Sequence, residues 1–212
     1  MKILNLYAGL GGNRKLWGDE HQITAVELNP TIAKFYKDHF PNDIVIVSDA
    51  HQYLLEHYFE FDVIWSSINC PSHSRARFWG SRPNNKIKPV FPDMKLYEEI
   101  LFLKHYFDGK FIIENVDPYY EPLIKPTVKI GRHLFWSNFN IPNIKVNEAD
   151  INRGKISDWQ TLHGFDITGY SFSSRRDKVL GNCVNPELGL HIFNCAQNII
   201  TESNKQQTTL QF

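Results

Sequence analysis

The sequence contains few cysteines, and their scarcity excludes two kinds of stabilising site. Only Cys70, Cys183 and Cys195 occur, and they lie far apart in the chain. There is no CxxC motif and no paired Cys/His spacing, so the sequence predicts neither a disulfide framework nor a metal site. Each cysteine therefore needs an explanation of its own.

Long apolar runs are also missing. No stretch approaches the length that crosses a bilayer, and Met1 is not followed by the charged and then apolar regions of a signal peptide. We therefore expect a cytoplasmic protein with no membrane partner.

Acidic residues are absent from one part of the chain, although the net charge is zero. None occurs between Asp62 and Asp93. The basic residues of that window are Arg75, Arg77, Arg82, Lys86 and Lys88. Such a stretch is either a solvated loop or a surface for a polyanion.

Apolar and amphipathic segments alternate through the first half of the chain. Runs typical of buried strands begin near residues 2, 23, 43, 61 and 110, and helical periodicity follows Asn29, Asp49 and Asp93. This repetition predicts an α/β fold, a doubly wound and mostly parallel Rossmann-like sheet with helices on both faces. After Asn115, prolines and aromatic residues predict loops and short antiparallel strands, followed by a last helix at 185–200. We expect a single domain over residues 1–200 and a flexible polar tail at 201–212.

The first three predicted strands end in residues suited to a nucleoside ligand. Gly9, Gly11 and Gly12 follow the first strand, where glycines let the backbone approach a ligand closely. Glu27 ends the second strand, where a carboxylate accepts hydrogen bonds from ribose hydroxyls. Asp49 ends the third and is placed to bind an adenine amino group. Helix capping is the alternative explanation of both acids.

Cys70 follows the fourth predicted strand and is itself followed by Arg75 and Arg77. Neighbouring positive charge favours a thiolate, so the sequence predicts a nucleophile at this position. Glu114 and Asn115 end the fifth strand, at the same edge of the sheet. A nucleophile on one strand end and an acid on the next predict a catalytic pair.

The motifs, taken in order, resemble those of the cytosine C5 methyltransferases, which transfer a methyl group from S-adenosylmethionine to DNA. The matching segments are NLYAGLGG at 5–12, VELNP at 26–30, SDA at 48–50, NCPSHSRAR at 69–77, ENV at 114–116 and GNCVNP at 181–186. The likeness extends over residues 3–200 and implies a methyltransferase domain with the Rossmann-like fold.

Individual roles follow from this resemblance. It implies that Cys70 attacks C6 of a flipped cytosine, that a protonated Glu114 binds N3, and that Asn115 and Arg132 assist. Arg132 lies one position out of register with the family's arginines. The implied S-adenosylmethionine contacts are Tyr7, Ala8, Gly9, Leu10, Gly11, Gly12, Glu27, Leu28, Asp49, Ala50, Asn182 and Val184. The implied DNA contacts are Ser74, Arg75, Arg77, Arg82, Lys86, Arg175 and Arg176.

The chain departs from the family pattern in its recognition region. Asn69 stands where the family usually has proline, and the insert at about 137–175 leaves room for a small hairpin rather than a recognition domain. Since base readout needs a surface that enters a groove, we expect a short target site, a separate specificity partner or little specificity. Two alternatives stay open: methylation of cytosine in tRNA, and a catalytically inactive relative that binds cofactor and DNA.

The C-terminal tail contains a further short motif. Gln207–Phe212 matches the Gln-x-x-Leu-x-Phe pattern of bacterial sliding-clamp ligands. The sequence therefore predicts a sliding clamp as a possible partner.

Overall fold

The computed structural model describes residues 1–83, 87–146 and 155–199. Lys86, part of the expected recognition insert and the clamp motif at Gln207–Phe212 lie outside the described residues. Among the described helices, none has both the length and the apolar character of a membrane span.

A sheet of seven strands forms the centre of the described residues. The strands are β1 (Lys2–Leu6), β2 (Gln22–Val26), β3 (Ile44–Ile46), β4 (Val63–Ser67), β5 (Lys110–Val116), β6 (Val128–Ile130) and β7 (His133–Ser137). Their order is β3-β2-β1-β4-β5-β7-β6, with β1 to β5 parallel and β7 antiparallel to both β5 and β6. The predicted doubly wound, mostly parallel sheet is confirmed. Because the order reverses between β1 and β4, the ligand-binding crevice of such a sheet is expected outside these strands' carboxyl ends.

Helices connect the strands, and three more come after the last strand in the chain. They are α1 (Pro30–His39), α2 (Ala50–His57), α3 (Arg75–Gly80), α4 (Lys95–Tyr106), α5 (Ile156–His163), α6 (Arg176–Gly181) and α7 (Pro186–Ala196). The predicted helices after Asn29, Asp49 and Asp93 are confirmed, and the last one ends at Ala196. By contrast, α3, α5 and α6 occupy segments for which no helix was expected.

The central strands separate two apolar cores. In β4, Ile64 packs with α2 and α4, whereas Val63 and Trp65 face α7 on the other side of the sheet. This alternation follows from the two-residue period of a strand, and it explains why these strands read as continuous apolar runs. Helices therefore cover both faces.

The described part of the expected insert packs against the rest of the described domain. Trp159 of α5 and Phe165 are buried in a third cluster together with Phe35 of α1. Gly164 ends α5 with a positive φ of 64°, a conformation that favours glycine. The described part of this segment thus contributes a helix to the core.

A buried ion pair fixes the segment after β1. Arg14 donates from Nε and Nη2 to the two carboxylate oxygens of Asp43, both at 3.0 Å, and each side chain is only 2% exposed. Tyr36 donates to the same carboxylate at 2.9 Å. The arrangement holds the chain between β1 and β2 against the end of α1.

Replacing Arg14 with alanine tests this connection. The substitution leaves the Asp43 carboxylate buried without its cation, so the free energy of unfolding should fall by about 3–5 kcal/mol in urea denaturation. Arg175→Ala removes an arginine from an exposed pair with Asp177 and should change the midpoint little. Equal denaturation midpoints for both variants would contradict a stabilising role of the buried Arg14–Asp43 ion pair.

Candidate active site

The turn after β1 has an unusual backbone. Tyr7, Gly9 and Gly11 have positive φ angles of 53°, 55° and 83°. A Cβ on Gly12 would lie 2.3 Å from the carbonyl oxygen of Val184, so only glycine lets the 181–186 segment approach this turn so closely. Two of the motifs quoted above are therefore in direct contact.

The acids at the ends of β2 and β3 have different local roles. Glu27 accepts hydrogen bonds from the amides of Gly9 and Asn29, at 3.1 and 2.8 Å, and Asn29 rather than Glu27 caps α1. Asp49 does cap α2, accepting from the amide of Gln52 at 3.0 Å. The capping alternative therefore holds for Asp49 and not for Glu27.

A buried carboxylate beneath this edge was not predicted. Glu99 of α4 is fully buried and accepts from the hydroxyls of Tyr7 and Ser66, each at 2.7 Å, while its Oε1 lies 3.0 Å from Nδ1 of His51. The hydrogen bond to Glu99 raises the pKa of His51. Leu96 marks the buried face of α4, and position 99 shares that face three residues later, which is the signal that sequence reasoning overlooked.

Cys70 and Glu114 lie together at the ends of β4 and β5. Glu114 is 7% exposed, and burial raises the pKa of its carboxyl to about 7, against the opposing effects of a hydrogen bond from Ser67 and the charge of Arg132. Burial and the Glu114 charge raise the pKa of the Cys70 thiol to about 11, again opposed by Arg132. The three predicted groups therefore interact electrostatically, and their chemical roles stay predictions.

The expectation that the following arginines ionise Cys70 is wrong. Arg75 donates to the Asp117 carboxylate at 2.8 Å and to the Pro118 carbonyl at 3.1 Å, and Arg77 donates to the carbonyl of Lys88. Neither arginine is among the groups that shift the pKa of the Cys70 thiol. The cation that favours the thiolate is instead Arg132, some sixty residues later in the chain.

Arg132 and its neighbours complete the cluster. The Arg132 guanidinium donates to the carbonyl of Gly181 at 2.6 Å, which connects it to the 181–186 segment. His133 Nε2 lies 3.5 Å from Glu114 Oε1, and burial lowers the pKa of this histidine to about 3. His133 is therefore neutral and does not form an ion pair with Glu114. Sequence reasoning missed it because a strand histidine has no distinguishing pattern.

The remaining predicted contacts fall into several environments. Asn115 is buried and donates to the carbonyl of Ile68, which positions the loop before Cys70. Leu28 is 66% exposed, and Asn182 ends α6. Four other predicted cofactor contacts are buried residues; they are Ala8, Leu10, Ala50 and Val184.

The predicted DNA contacts among the described residues lie in two segments of the chain. Ser74 caps α3, and the Arg82 guanidinium carbon lies 5.5 Å from the centre of the Phe78 ring. Arg175 and Arg176 lie at the start of α6, where Arg175 pairs with the exposed carboxylate of Asp177. The two groups of arginines belong to segments far apart in the chain.

Comparisons with known proteins find likeness only in solved structures. No protein-family model matches the chain, and no curated protein matches it. A mutant DNMT2 of Spodoptera frugiperda shares 23% identity over 55% of this chain and 35% of its own, with a TM-score of 0.38. A TehB-like S-adenosylmethionine-dependent methyltransferase of Corynebacterium glutamicum shares 18% identity over 57% of this chain and 58% of its own, with a TM-score of 0.36. An S-adenosylmethionine-dependent methyltransferase of Agrobacterium tumefaciens shares 12% identity over 57% of this chain and 40% of its own, with a TM-score of 0.39.

These likenesses concern part of the fold. The matched segment spans about a third of the DNMT2 chain and less than two thirds of the other two. The chemistry of the site, rather than the comparisons, therefore carries the functional interpretation.

Alkylation of Cys70 tests the electrostatic arrangement. Above pH 7 the ionised Glu114 opposes thiolate formation, so Glu114→Gln should lower the pKa of Cys70 and speed its reaction with iodoacetamide by up to about tenfold at pH 8–9. Peptide mass spectrometry separates Cys70 from the buried Cys183 and Cys195. As a control, the exposed Glu98→Gln should leave the rate unchanged; an equal response to both substitutions would refute the coupling.

Proposed function

We propose that this protein is a DNA cytosine C5 methyltransferase that uses S-adenosylmethionine. The observation that carries the proposal is the buried Glu114 carboxyl beside Cys70 at the carboxyl edge of the sheet. A nucleophile next to a carboxyl that remains protonated near neutral pH suits addition to a pyrimidine ring.

The turn after β1 fits the nucleoside cofactor. A Cβ on Gly9 would have no atom nearer than 3.9 Å, so the backbone there is open to a ligand. Glu27 keeps its position beside Gly9 through backbone hydrogen bonds, and the exposed Leu28 and Asp49 follow on the neighbouring strand ends. These residues are proposed to hold S-adenosylmethionine, which supplies an electrophilic methyl group when bound.

The chain's own groups would act on the cytosine in sequence. The Cys70 thiolate forms a bond to C6, the ring's electron pair moves toward C5 and N3, and Glu114 holds a proton against N3. C5 would then take the methyl group that bound S-adenosylmethionine supplies. Loss of the C5 proton to solvent would let the C5–H electron pair re-form the C5–C6 double bond while the sulfur–carbon bond breaks and the thiolate leaves. Protonation of Glu114 also removes the negative charge that opposes the thiolate.

A cytosine stacked in a duplex cannot present C6 to a thiolate, so the base must be flipped out. We assign the basic window to the DNA backbone, where its cations neutralise phosphates. A separate specificity partner and a sliding clamp bound through Gln207–Phe212 remain part of the proposal.

A DNA duplex containing 5-fluorocytosine tests the chemistry. Fluorine cannot leave as a proton does, so the protein should form a stable covalent complex in the presence of S-adenosylmethionine, visible by denaturing electrophoresis. Cys70→Ala should form none. Glu114→Gln should form it more slowly by about two orders of magnitude or more, with cofactor affinity little changed. Absence of any adduct with the native protein would favour the inactive relative.

Transfer of a labelled methyl group from S-adenosylmethionine to duplex DNA, compared with transfer to tRNA, tests which nucleic acid is the substrate. The proposal expects incorporation into duplex DNA and little into tRNA. Incorporation into tRNA and little into DNA would agree with the proposed mechanism but would make tRNA, and not DNA, the substrate.

A further inference from the structure

The two oxygens of the buried Glu99 carboxylate have different neighbours. Oε1 accepts a hydrogen bond from the Tyr7 hydroxyl at 2.7 Å and lies 3.0 Å from Nδ1 of His51. Oε2 accepts from the Ser66 hydroxyl, also at 2.7 Å. Removing one hydroxyl or the other therefore separates the effect of each oxygen.

The neighbours of Oε1 belong to segments that are proposed to hold the cofactor. Tyr7 directly follows β1 and begins the glycine turn. His51 is the second residue of α2 and comes two positions after Asp49, which caps that helix. Oε1 thus joins the turn after β1 to the start of α2.

Oε2 contacts the sheet instead. Ser66 lies in β4, is fully buried, and pairs with Leu6 in the parallel register of β1 and β4. No residue of β4 is among the proposed cofactor contacts. The hydrogen bond from Ser66 therefore fixes Glu99 to the sheet, away from the segments assigned to the cofactor.

The backbone of Tyr7 needs a contact that holds it in place. Its φ of 53° lies in the left-handed region, which is unfavourable for a residue that carries a Cβ. Such a conformation persists where the surrounding structure enforces it. The Tyr7 ring packs against the core that contains α2 and α4, and its hydroxyl ends at Glu99. This side chain therefore helps to keep the shape of the turn that leaves the backbone at Gly9 open.

Burial makes the contact between Tyr7 and Glu99 hard to replace. The Glu99 side chain is fully buried, so water does not take the place of a lost donor, and a buried acceptor without its partner is costly. Burial and the Glu99 charge raise the pKa of the Tyr7 hydroxyl. The hydroxyl therefore stays protonated at neutral pH and donates to the carboxylate.

We propose that Glu99 is a positioning residue of the cofactor site and acts through Tyr7 on the turn that binds S-adenosylmethionine. Its side chain is fully buried, so it does not contact the cofactor itself. The identity of the cofactor rests on the proposed function. The hydroxyl on Oε1 should therefore affect cofactor affinity, whereas the hydroxyl on Oε2 should affect stability alone.

Isothermal titration calorimetry with S-adenosylmethionine tests this difference. Tyr7→Phe removes only the hydroxyl and should weaken binding about tenfold, because one hydrogen bond to a buried charged group is lost. Ser66→Ala removes the other hydroxyl and should leave the affinity nearly unchanged. Both variants should lower the midpoint of urea denaturation, which separates stability from binding. Equal losses of affinity in the two variants, or no loss with Tyr7→Phe, would overturn the proposal.

A double-mutant cycle shows whether Glu99 acts through Tyr7. Glu99→Gln keeps an acceptor for the Tyr7 hydroxyl and should bind S-adenosylmethionine more tightly than Glu99→Leu, which keeps none. Combining Glu99→Leu with Tyr7→Phe should weaken binding no more than Glu99→Leu alone, because both changes remove the same contact. Losses that multiply in the double variant would contradict action through Tyr7. Circular dichroism checks that each variant is folded, and Tyr7→Phe decides the matter if Glu99→Leu is not.

The outcomes also separate this inference from the proposed function. A native protein that does not bind S-adenosylmethionine would contradict the proposed function and the role of Glu99 with it. Native binding that Tyr7→Phe leaves unchanged would contradict the role of Glu99 alone. Failure of 5-fluorocytosine trapping together with the expected Tyr7→Phe and Ser66→Ala results would count against the methyl-transfer chemistry and support the role of Glu99.

Discussion

Burial of the Glu114 carboxyl is the constraint on which the proposed chemistry of this protein depends. The side chain lies at the end of β5, 7% exposed, and desolvation disfavours its charged form. Its ionisation state then controls Cys70, because a negative Glu114 opposes the thiolate. A protonated Glu114 can donate a hydrogen bond, and it no longer opposes formation of the Cys70 thiolate. Arg132 acts on both groups, and its contact with Gly181 connects the pair to the 181–186 segment, which packs against the turn after β1.

The sheet brings these groups together. Parallel strands place their carboxyl ends at one edge, and the reversal of strand order opens that edge between β1 and β4. The antiparallel β7 then brings His133 next to β5 from a later part of the chain. Beneath the edge, Glu99 joins the turn after β1 to β4 and α2 through hydrogen bonds, so the proposed cofactor site and α4 share one buried polar network.

Local sequence predicted what depends on periodicity and could not predict what depends on long-range contacts. The parallel strands and the helices with clear amphipathic patterns were found, because burial on two faces leaves continuous apolar runs. The six-residue helices α3 and α6 are too short to show a period, and α5 is buried through aromatic residues spread over a polar segment. The strand-end positions of Cys70 and Glu114 followed from order along the chain. The pKa of Cys70 did not, because the adjacent arginines bind elsewhere and the relevant cation is Arg132.

The protonation state of Glu114 tests the account most directly. Infrared difference spectra of the native protein against Glu114→Gln, recorded across pH, isolate the carbonyl band of the protonated carboxyl. We expect that band to disappear with a midpoint near pH 7. A midpoint near pH 4.5, the ordinary value for glutamate, would show a charged carboxylate at neutral pH and contradict the proposed chemistry.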